Sequence, residues 1–482
     1  MNYGIVLKVL GNILTLESLL MLPSLLIALY TREGDAKAFI ISILITGIIG
    51  LILSRNKEYK NSINAKEGLA IVSLSWFFMS LFGALPIYLS GNIPTYIDAV
   101  FETVSGFTTT GSTVIGNVEV LPHGILFWRS FAHWIGGMGI LVFTLALLPA
   151  LGIGGFQIFK AESPGPVAGK IAPRIRDTAK ILYTTYFTIT IIQVILLKLG
   201  GMSLFDSFVY TFGTVGTGGL ATKNASVGAY SSNYIHIVIG IFMLLSGINF
   251  SLYYSIFKGK FKDVLKDEEL RLYLGIVLVA VICIAINLYM TSYTNVALAF
   301  KDAFFQVSSI ITTTGYSTAN FDIWPSFSKA ILLLLMFIGG SAGSTAGGMK
   351  VIRILVLFKL IKREILKLFH PRAVIPIKTN GKVVPNETIA GINSFMSLYM
   401  IIFALSTILI TLEGVDLVSA ASSVIATLGN IGPGLSFVGP TNTFNGYSQI
   451  AKMFFSLLML LGRLELFTII ALLAPRNWRK EI

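Results

Sequence analysis

Cysteine, histidine and charge are all scarce in this chain of 482 residues. The one cysteine, Cys283, sits in the apolar run Val-Ile-Cys-Ile-Ala, which excludes an internal disulfide and a cysteine-based metal site. The four histidines, His123, His133, His236 and His370, are scattered without an i, i+4 pairing, which argues against zinc. Charged residues make up 12%, against about 25% in a soluble domain. Hydrophobic residues make up 54%, and the mean hydropathy is +0.80. That balance belongs to the membrane class. The sequence has no Gly-x-x-x-x-Gly-Lys and no strand-borne Gly-x-Gly-x-x-Gly, so it carries no recognisable nucleotide site. It also lacks an Asp/His/Ser or metal constellation, which sets a membrane-embedded enzyme aside.

The net charge is +13, and its distribution says more than its size. Alternate connectors between apolar runs are basic: Arg55, Lys57, Lys60 and Lys66; Lys160, Lys170, Arg174, Arg176 and Lys180; Lys258, Lys260, Lys262 and Lys266; then Lys350 through Lys382. The connectors between them hold Asp98, Glu119, Asp206, Asp302, Asp322, Glu413 and Asp416, beside scattered Lys223, Lys301 and Lys329. By the positive-inside rule the basic side is cytoplasmic. Every basic cluster borders an apolar span, so nucleic acid is not the expected partner. The first apolar run, Ile5 to Tyr30, is long enough to span and lacks a small-residue cleavage site at its end; it reads as a signal anchor.

Long apolar runs cover Ile5–Tyr30, Ala38–Leu53, Leu69–Leu89, Leu126–Ala150, Ile181–Leu199, Ile235–Phe257, Leu272–Met290, Ile331–Leu360, Ile389–Thr411 and Met453–Ala474. Shorter runs lie between certain pairs: Ile97–Phe107, Leu204–Phe212, Ala303–Ile311 and Leu417–Leu428. These are too short to cross a bilayer, and each runs into a polar, glycine-bearing turn. A short helix that enters and returns is allowed at membrane depth only where protein or water surrounds it. The expected fold is an all-α membrane protein. Two N-terminal spans (1–60) precede four pseudo-fourfold span–pore-helix–filter–span repeats around one pore, at 64–165, 176–265, 268–375 and 385–476. An even number of spans puts both termini on the cytoplasmic side, in agreement with Arg476, Arg479 and Lys480.

The turns carry the chemistry. Asp98 to Gly111 ends in Thr-Thr-Thr-Gly, Asp206 to Gly218 in Val-Gly-Thr-Gly, Asp302 to Gly315 in Thr-Thr-Thr-Gly, and Ser419 to Gly432 in Gly-Asn-Ile-Gly. Turns of this kind offer backbone carbonyls to a dehydrated cation without a formal charge that would trap it. Glycine lets the backbone reach positive φ. The C-terminal end of each short helix adds about half a negative charge. Outer carboxylates such as Glu102 would concentrate cations. For Asp98, Asp206 and Asp302, helix N-capping is at least as good a reading.

These motifs resemble the TrkH-type potassium-uptake subunits of the Trk/Ktr/HKT superfamily, over nearly the whole length. The resemblance also rests on the Ala161-Glu-Ser-Pro-Gly-Pro-Val connector, the Thr217-Gly-Gly turn, the Gly-Ser-Ala-Gly-Ser-Thr-Ala-Gly-Gly stretch from Gly340, and Leu461-Gly-Arg-Leu-Glu465. It implies one selectivity filter within a single polypeptide. The residues carried over are Thr109, Thr110 and Gly111; Gly216, Thr217 and Gly218; Thr313, Thr314 and Gly315; and Asn430, Ile431 and Gly432. In the family, serine at the first of these glycines goes with sodium preference, so four glycines imply potassium. K⁺ would be the transported ion, with no covalent cofactor. The resemblance further implies an inner-membrane homodimer and a cytosolic TrkA-like ring that binds NAD and adenine nucleotides.

The run Ile331–Leu360 is too long for one span, and Gly339, Gly343 and Gly347 recur every four residues in its middle. Such spacing fits a small-residue packing face. The unbroken row of small or hydroxyl residues from Gly343 to Gly348, with Lys350 just beyond, fits a broken helix better. The resemblance implies an intramembrane gating loop there, comprising Gly340, Gly343, Ser344, Thr345, Gly347, Gly348 and Lys350. Arg463 lies deep in the last apolar run, where a charge must face protein or water. It either pairs with Glu465 or snorkels, or else contacts the loop carbonyls and repels cations when the gate is shut. A proton- or sodium-coupled symporter is the alternative function. It would need a titrating group on the path, and the candidates are Glu17, Glu102, Glu465 and His133.

Overall fold

The computed structural model describes residues 2–55, 65–139 and 175–473. The Ala161–Val167 connector, part of its basic cluster and the Arg476–Lys480 end lie outside the described residues. Helices make up nearly all the regular structure. At the N-terminus, α1 (Tyr3–Leu20) runs into α2 (Leu22–Thr31), and α3 (Ala36–Ser54) returns beside α1. Small residues let these backbones touch: a Cβ on Gly11 would sit 2.6 Å from the Gly50 carbonyl oxygen. Outward faces such as Leu44 and Ile48 on α3 are exposed and apolar, as a lipid-facing surface requires.

Four units follow. The first holds α4 (Ala65–Gly83), α5 (Leu85–Leu89), α6 (Tyr96–Phe107) and α7 (His123–Gly137). The second holds α8 (Ile175–Leu199), α9 (Leu204–Val215), α10 (Asn233–Ser246), α11 (Phe250–Phe257) and α12 (Phe261–Lys266). The third holds α13 (Glu268–Thr291), α14 (Val296–Ile311), α15 (Ser326–Ile338) and α16 (Val351–Phe369). A two-stranded hairpin, β1 (Lys378–Thr379) with β2 (Lys382–Val383), leads to the last unit. That unit holds α17 (Asn386–Thr411), α18 (Leu417–Leu428), α19 (Gln449–Arg463) and α20 (Leu466–Leu473).

Among the described residues six helical segments are long and apolar enough to cross a membrane, or seven counting one bent pair. The sequence offers more long runs than that, because hydropathy does not register breaks. The Ile235–Phe257 run bends by 94° between α10 and α11. The Ile331–Leu360 run leaves the helix at Gly339 (φ 75°) and rejoins it after Lys350 (φ 75°). The Met453–Ala474 run breaks at Glu465 (φ 58°). In the Leu126–Ala150 run α7 ends at Gly137, and the run beyond Gly139 lies outside the described residues.

Candidate functional site: four turns and the loop beneath them

Each short helix starts on a polar cap. Thr95 accepts from Asp98 N (3.1 Å) and Ser203 from Asp206 N (3.0 Å). Asn295 accepts from Ala297 N (2.9 Å), and Asp416 from Ser419 N (3.2 Å). The caps are therefore not Asp98, Asp206 or Asp302. Asp98 and Asp206 stand three residues inside their helices, where each carboxylate accepts its cap's hydroxyl at 2.8 Å, an acidic variant of the capping box. Asp302 lies well inside α14 and accepts from the Tyr293 hydroxyl (3.0 Å). A helix of 12 residues such as α6 reaches about 18 Å, roughly half a bilayer, so its C-terminal end stops within the membrane.

All four helices end alike. The last-turn caps are Thr108, Gly216, Thr312 and Gly429. The next residues, Thr109, Thr217, Thr313 and Asn430, are left-handed, with φ of 56°, 57°, 56° and 54°. Then Thr110, Gly218, Thr314 and Ile431 each donate their N–H five residues back, to Ser105 (2.9 Å), Gly213 (2.8 Å), Ser309 (2.9 Å) and Ala426 (2.8 Å). These bonds satisfy carbonyls that a helix end leaves free. The match corrects the register of the second turn. Gly219 (φ 74°) stands where Gly111 (φ 82°), Gly315 (φ 82°) and Gly432 (φ 104°) stand, while Gly218 is level with Thr110 and Gly216 with Thr108. Counted to Gly219, the distance from Asp206 equals that from Asp98 to Gly111.

The four turns form a closed circuit. A Cβ on Gly111 would overlap the Gly218 carbonyl oxygen, one on Gly219 that of Thr314, and one on Gly315 that of Ile431. A Cβ on Gly432 would lie 2.8 Å from the Thr110 oxygen. The first turn thus abuts the second, the second the third, the third the fourth, and the fourth the first. Asn430 Nδ2 donates to Thr110 Oγ1 (2.9 Å) across the last of these joins. Gly111, Gly219, Gly315 and Gly432 together border one cavity of about 120 Å³.

Under the circuit lies the 339–350 segment, whose backbone is fastened on several sides. Gly347 N–H donates to Thr313 Oγ1 (2.6 Å) and Gly348 N–H to the Gly429 carbonyl (3.0 Å). Ser341 N–H donates to Gly247 O (2.9 Å), and Thr345 Oγ1 to Ser246 O (3.1 Å), at the bend between α10 and α11. Glu269 Oε1 accepts from Ala342 N (2.7 Å) and Ile352 N (3.1 Å), so it stands in for the missing side-chain cap of α16. Lys350 Nζ donates to the Ala346 carbonyl. Arg463 ties α19 to two other elements, the loop and the end of α7: Nη1 donates to Thr345 O (2.8 Å), and Nη2 to Gly136 O (2.5 Å) and Gly137 O (2.9 Å). Glu465 pairs with Arg353 at 2.7 Å. Gly343, Ser344, Gly347, Gly348, Lys350 and Arg463 line a second cavity of about 100 Å³.

Two groups have roles that sequence reasoning did not assign. His133 packs behind the second turn, with Nδ1 donating to Gly106 O (2.7 Å) and Nε2 accepting from Leu220 N (3.4 Å), the pattern of a neutral ring. Glu102 does not gather cations. It is buried, takes Arg129 through Nε (3.1 Å) and Nη2 (2.8 Å), and accepts from Val114 N (2.6 Å) and Thr113 Oγ1 (2.5 Å). It thereby braces the segment beyond the first turn. Glu102→Ala would strand a buried guanidinium, at a cost of about 3–5 kcal/mol. The expected outcome is a large drop in thermal midpoint in detergent, with Glu102→Gln milder. An unchanged midpoint would show that the pair carries no stability.

Residues 35–480 match the family described as TrkH, cation transport protein. The chain is 40% identical over 485 residues to the Trk system potassium uptake protein TrkH of Escherichia coli K12, with all of both chains covered. It is 35% identical over 473 residues to the potassium uptake protein TrkG of the same strain, covering 97% of each. The crystal structure of the potassium transporter TrkH from Vibrio parahaemolyticus superposes with a TM-score of 0.89 at 38% identity, covering 99% of this chain and 100% of that one.

Proposed function

Because the chain belongs to the TrkH family of cation transport proteins, we propose that it carries K⁺ into the cell through a channel-like pore along the axis of the four turns. The chain is a multi-pass membrane protein, with about six apolar spans among the described residues. The reading makes its four units pseudo-fourfold repeats around that axis. The carbonyls of Thr109, Thr110, Thr217, Gly218, Thr313, Thr314, Asn430 and Ile431 replace water around the ion, with Gly216 at the helix end behind them. Gly111, Gly219, Gly315 and Gly432 let neighbouring turns close up. The 339–350 segment is the gate and Arg463 its bolt. A cytosolic TrkA-like nucleotide-binding ring moves the gate, and the protein works as an inner-membrane homodimer with both termini in the cytoplasm.

The observation that carries this reading is the closed circuit of turns with matching backbone at all four stations. Ion coordination asks for oxygens from all sides of one point, and four unrelated turns would not repeat the same left-handed residue in the same place. A coupled symporter has less support. Glu102 and Glu465 are held in ion pairs and His133 in two backbone bonds, which leaves Glu17, buried in α1, as the remaining candidate. The test is ion flux into liposomes holding the purified protein. A K⁺ gradient at equal pH should drive flux, a pH gradient alone should not, and Na⁺ should pass far less readily. Potassium movement driven by pH alone would transfer the assignment to symport.

A further inference from the structure

The four left-handed stations are alike in backbone, but their side chains are engaged differently. Thr217 Oγ1 donates back to its neighbour, the Gly216 carbonyl (2.6 Å). Asn430 spends its amide N–H groups on Thr110 Oγ1 (2.9 Å) and Met459 O (2.9 Å). Thr109 Oγ1 is buried and makes no hydrogen bond among the described residues. Thr313 Oγ1, at the station equivalent to Thr109, accepts the Gly347 N–H of the loop at 2.6 Å. One step further along, Gly348 N–H donates to the Gly429 carbonyl, at the end of α18.

We propose that Thr313 is a positioning residue shared by filter and gate: its hydroxyl oxygen is held by the loop in the shut arrangement and is released to a permeating K⁺ when the loop withdraws. The inference rests on the proposed function and deepens it. A threonine hydroxyl oxygen has two lone pairs, and a cation at the inner end of the turns is drawn to such oxygens as it is to carbonyls. An N–H aimed at the same oxygen places a partial positive charge where the ion would sit. Loop and ion therefore oppose each other at one atom. Occupancy of the innermost ion position should weaken the shut state, and an empty position should strengthen it. Thr109 has the same backbone, and its hydroxyl makes no hydrogen bond to the loop among the described residues, so it is an internal control for every effect of losing a filter hydroxyl as such.

Single-channel recording of the reconstituted full chain separates the two roles. Thr313→Val, which keeps shape and loses the oxygen, should raise open probability without the cytosolic partner by about fivefold, the worth of one neutral hydrogen bond. Thr109→Val, which removes a filter hydroxyl that the loop does not hold, should raise open probability less than Thr313→Val does, and Thr313→Ser should bring it back toward the wild type. In the wild type, open probability should climb as K⁺ is raised on the side opposite the loop, and in Thr313→Val that climb should flatten. Equal open probability in Thr313→Val and Thr109→Val, or a wild-type open probability indifferent to K⁺, overturns the proposal while leaving the pore assignment intact. The pore assignment has its own readout in the same traces. If Thr313→Val leaves unitary conductance unaltered, its hydroxyl does not meet the ion and the shared-oxygen proposal falls, whereas the pore assignment falls only if Gly111→Ser leaves the K⁺/Na⁺ permeability ratio unaltered as well.

Discussion

Gly111→Ser should cut potassium flux by at least tenfold and pull the K⁺/Na⁺ permeability ratio toward one. The reason is steric before it is chemical. At Gly111 φ is 82°, a conformation a side chain rarely adopts, and a Cβ there would overlap the Gly218 carbonyl oxygen of the neighbouring turn. The carbonyl must move, and a carbonyl that moves no longer stands at the distance that matches K⁺. The same argument ranks the other stations. Serine at Gly219 meets an equal overlap, from Thr314 O, and serine at Gly315 a slightly smaller one, from Ile431 O. Serine at Gly432 would lie 2.8 Å from Thr110 O, so the damage there should be least. Rubidium and sodium uptake by the four variants checks both the effect and its order. Four equal effects would show that the close joins between turns are not what selects the ion.

Arg463→Ala should make the transporter leak. Its guanidinium holds Thr345 O in the loop while its other arm holds Gly136 O and Gly137 O at the end of α7. A hydrogen bond from a charged donor is worth about 1.5–3 kcal/mol. Losing the one to the loop should therefore raise partner-free flux by about 10- to 100-fold. Arg463→Lys should fall between, because an ammonium cannot fork to oxygens on separate elements. Potassium efflux from liposomes without the cytosolic subunit measures this. Wild-type flux in Arg463→Ala would leave the arginine a purely structural brace.

The parts of this site legible in sequence are those written in local composition. Thr-Thr-Thr-Gly twice over, with apolar runs too short to span, marks the turns. Six small or hydroxyl residues in a row mark the break after Ile338. What was illegible depends on backbone dihedrals or on partners far along the chain. The second turn carries two adjacent glycines, Gly218 and Gly219, and spacing alone stopped at the first, although the left-handed Thr217 puts the second in register. The bend at Glu465 has no breaker residue. Leu464, Glu465 and Leu466 all suit a helix, and the chain turns there beside an ion pair to Arg353, which comes from another unit. Glu102 looked like an outer carboxylate because Arg129, which neutralises it, comes 27 residues later. Glu269 gave no signal at all, since a carboxylate capping a helix more than 80 residues away leaves no local pattern.

The hairpin after α16 is pinned. Lys359 reaches both Glu268 and the Lys378 carbonyl, and Asn380 holds Asp267 at 2.7 Å and takes the Glu268 N–H at 2.9 Å. α16 thus runs as one unbroken rod from that anchorage to the last residue of the loop. From Lys359 to Val351 it makes a lever arm about 12 Å long. Tilting such an arm by about 12° swings its tip by about 2.5 Å, further than a hydrogen bond can stretch and survive. A protein that grips the hairpin from outside the bilayer could therefore part Gly347 from Thr313 without entering the lipid.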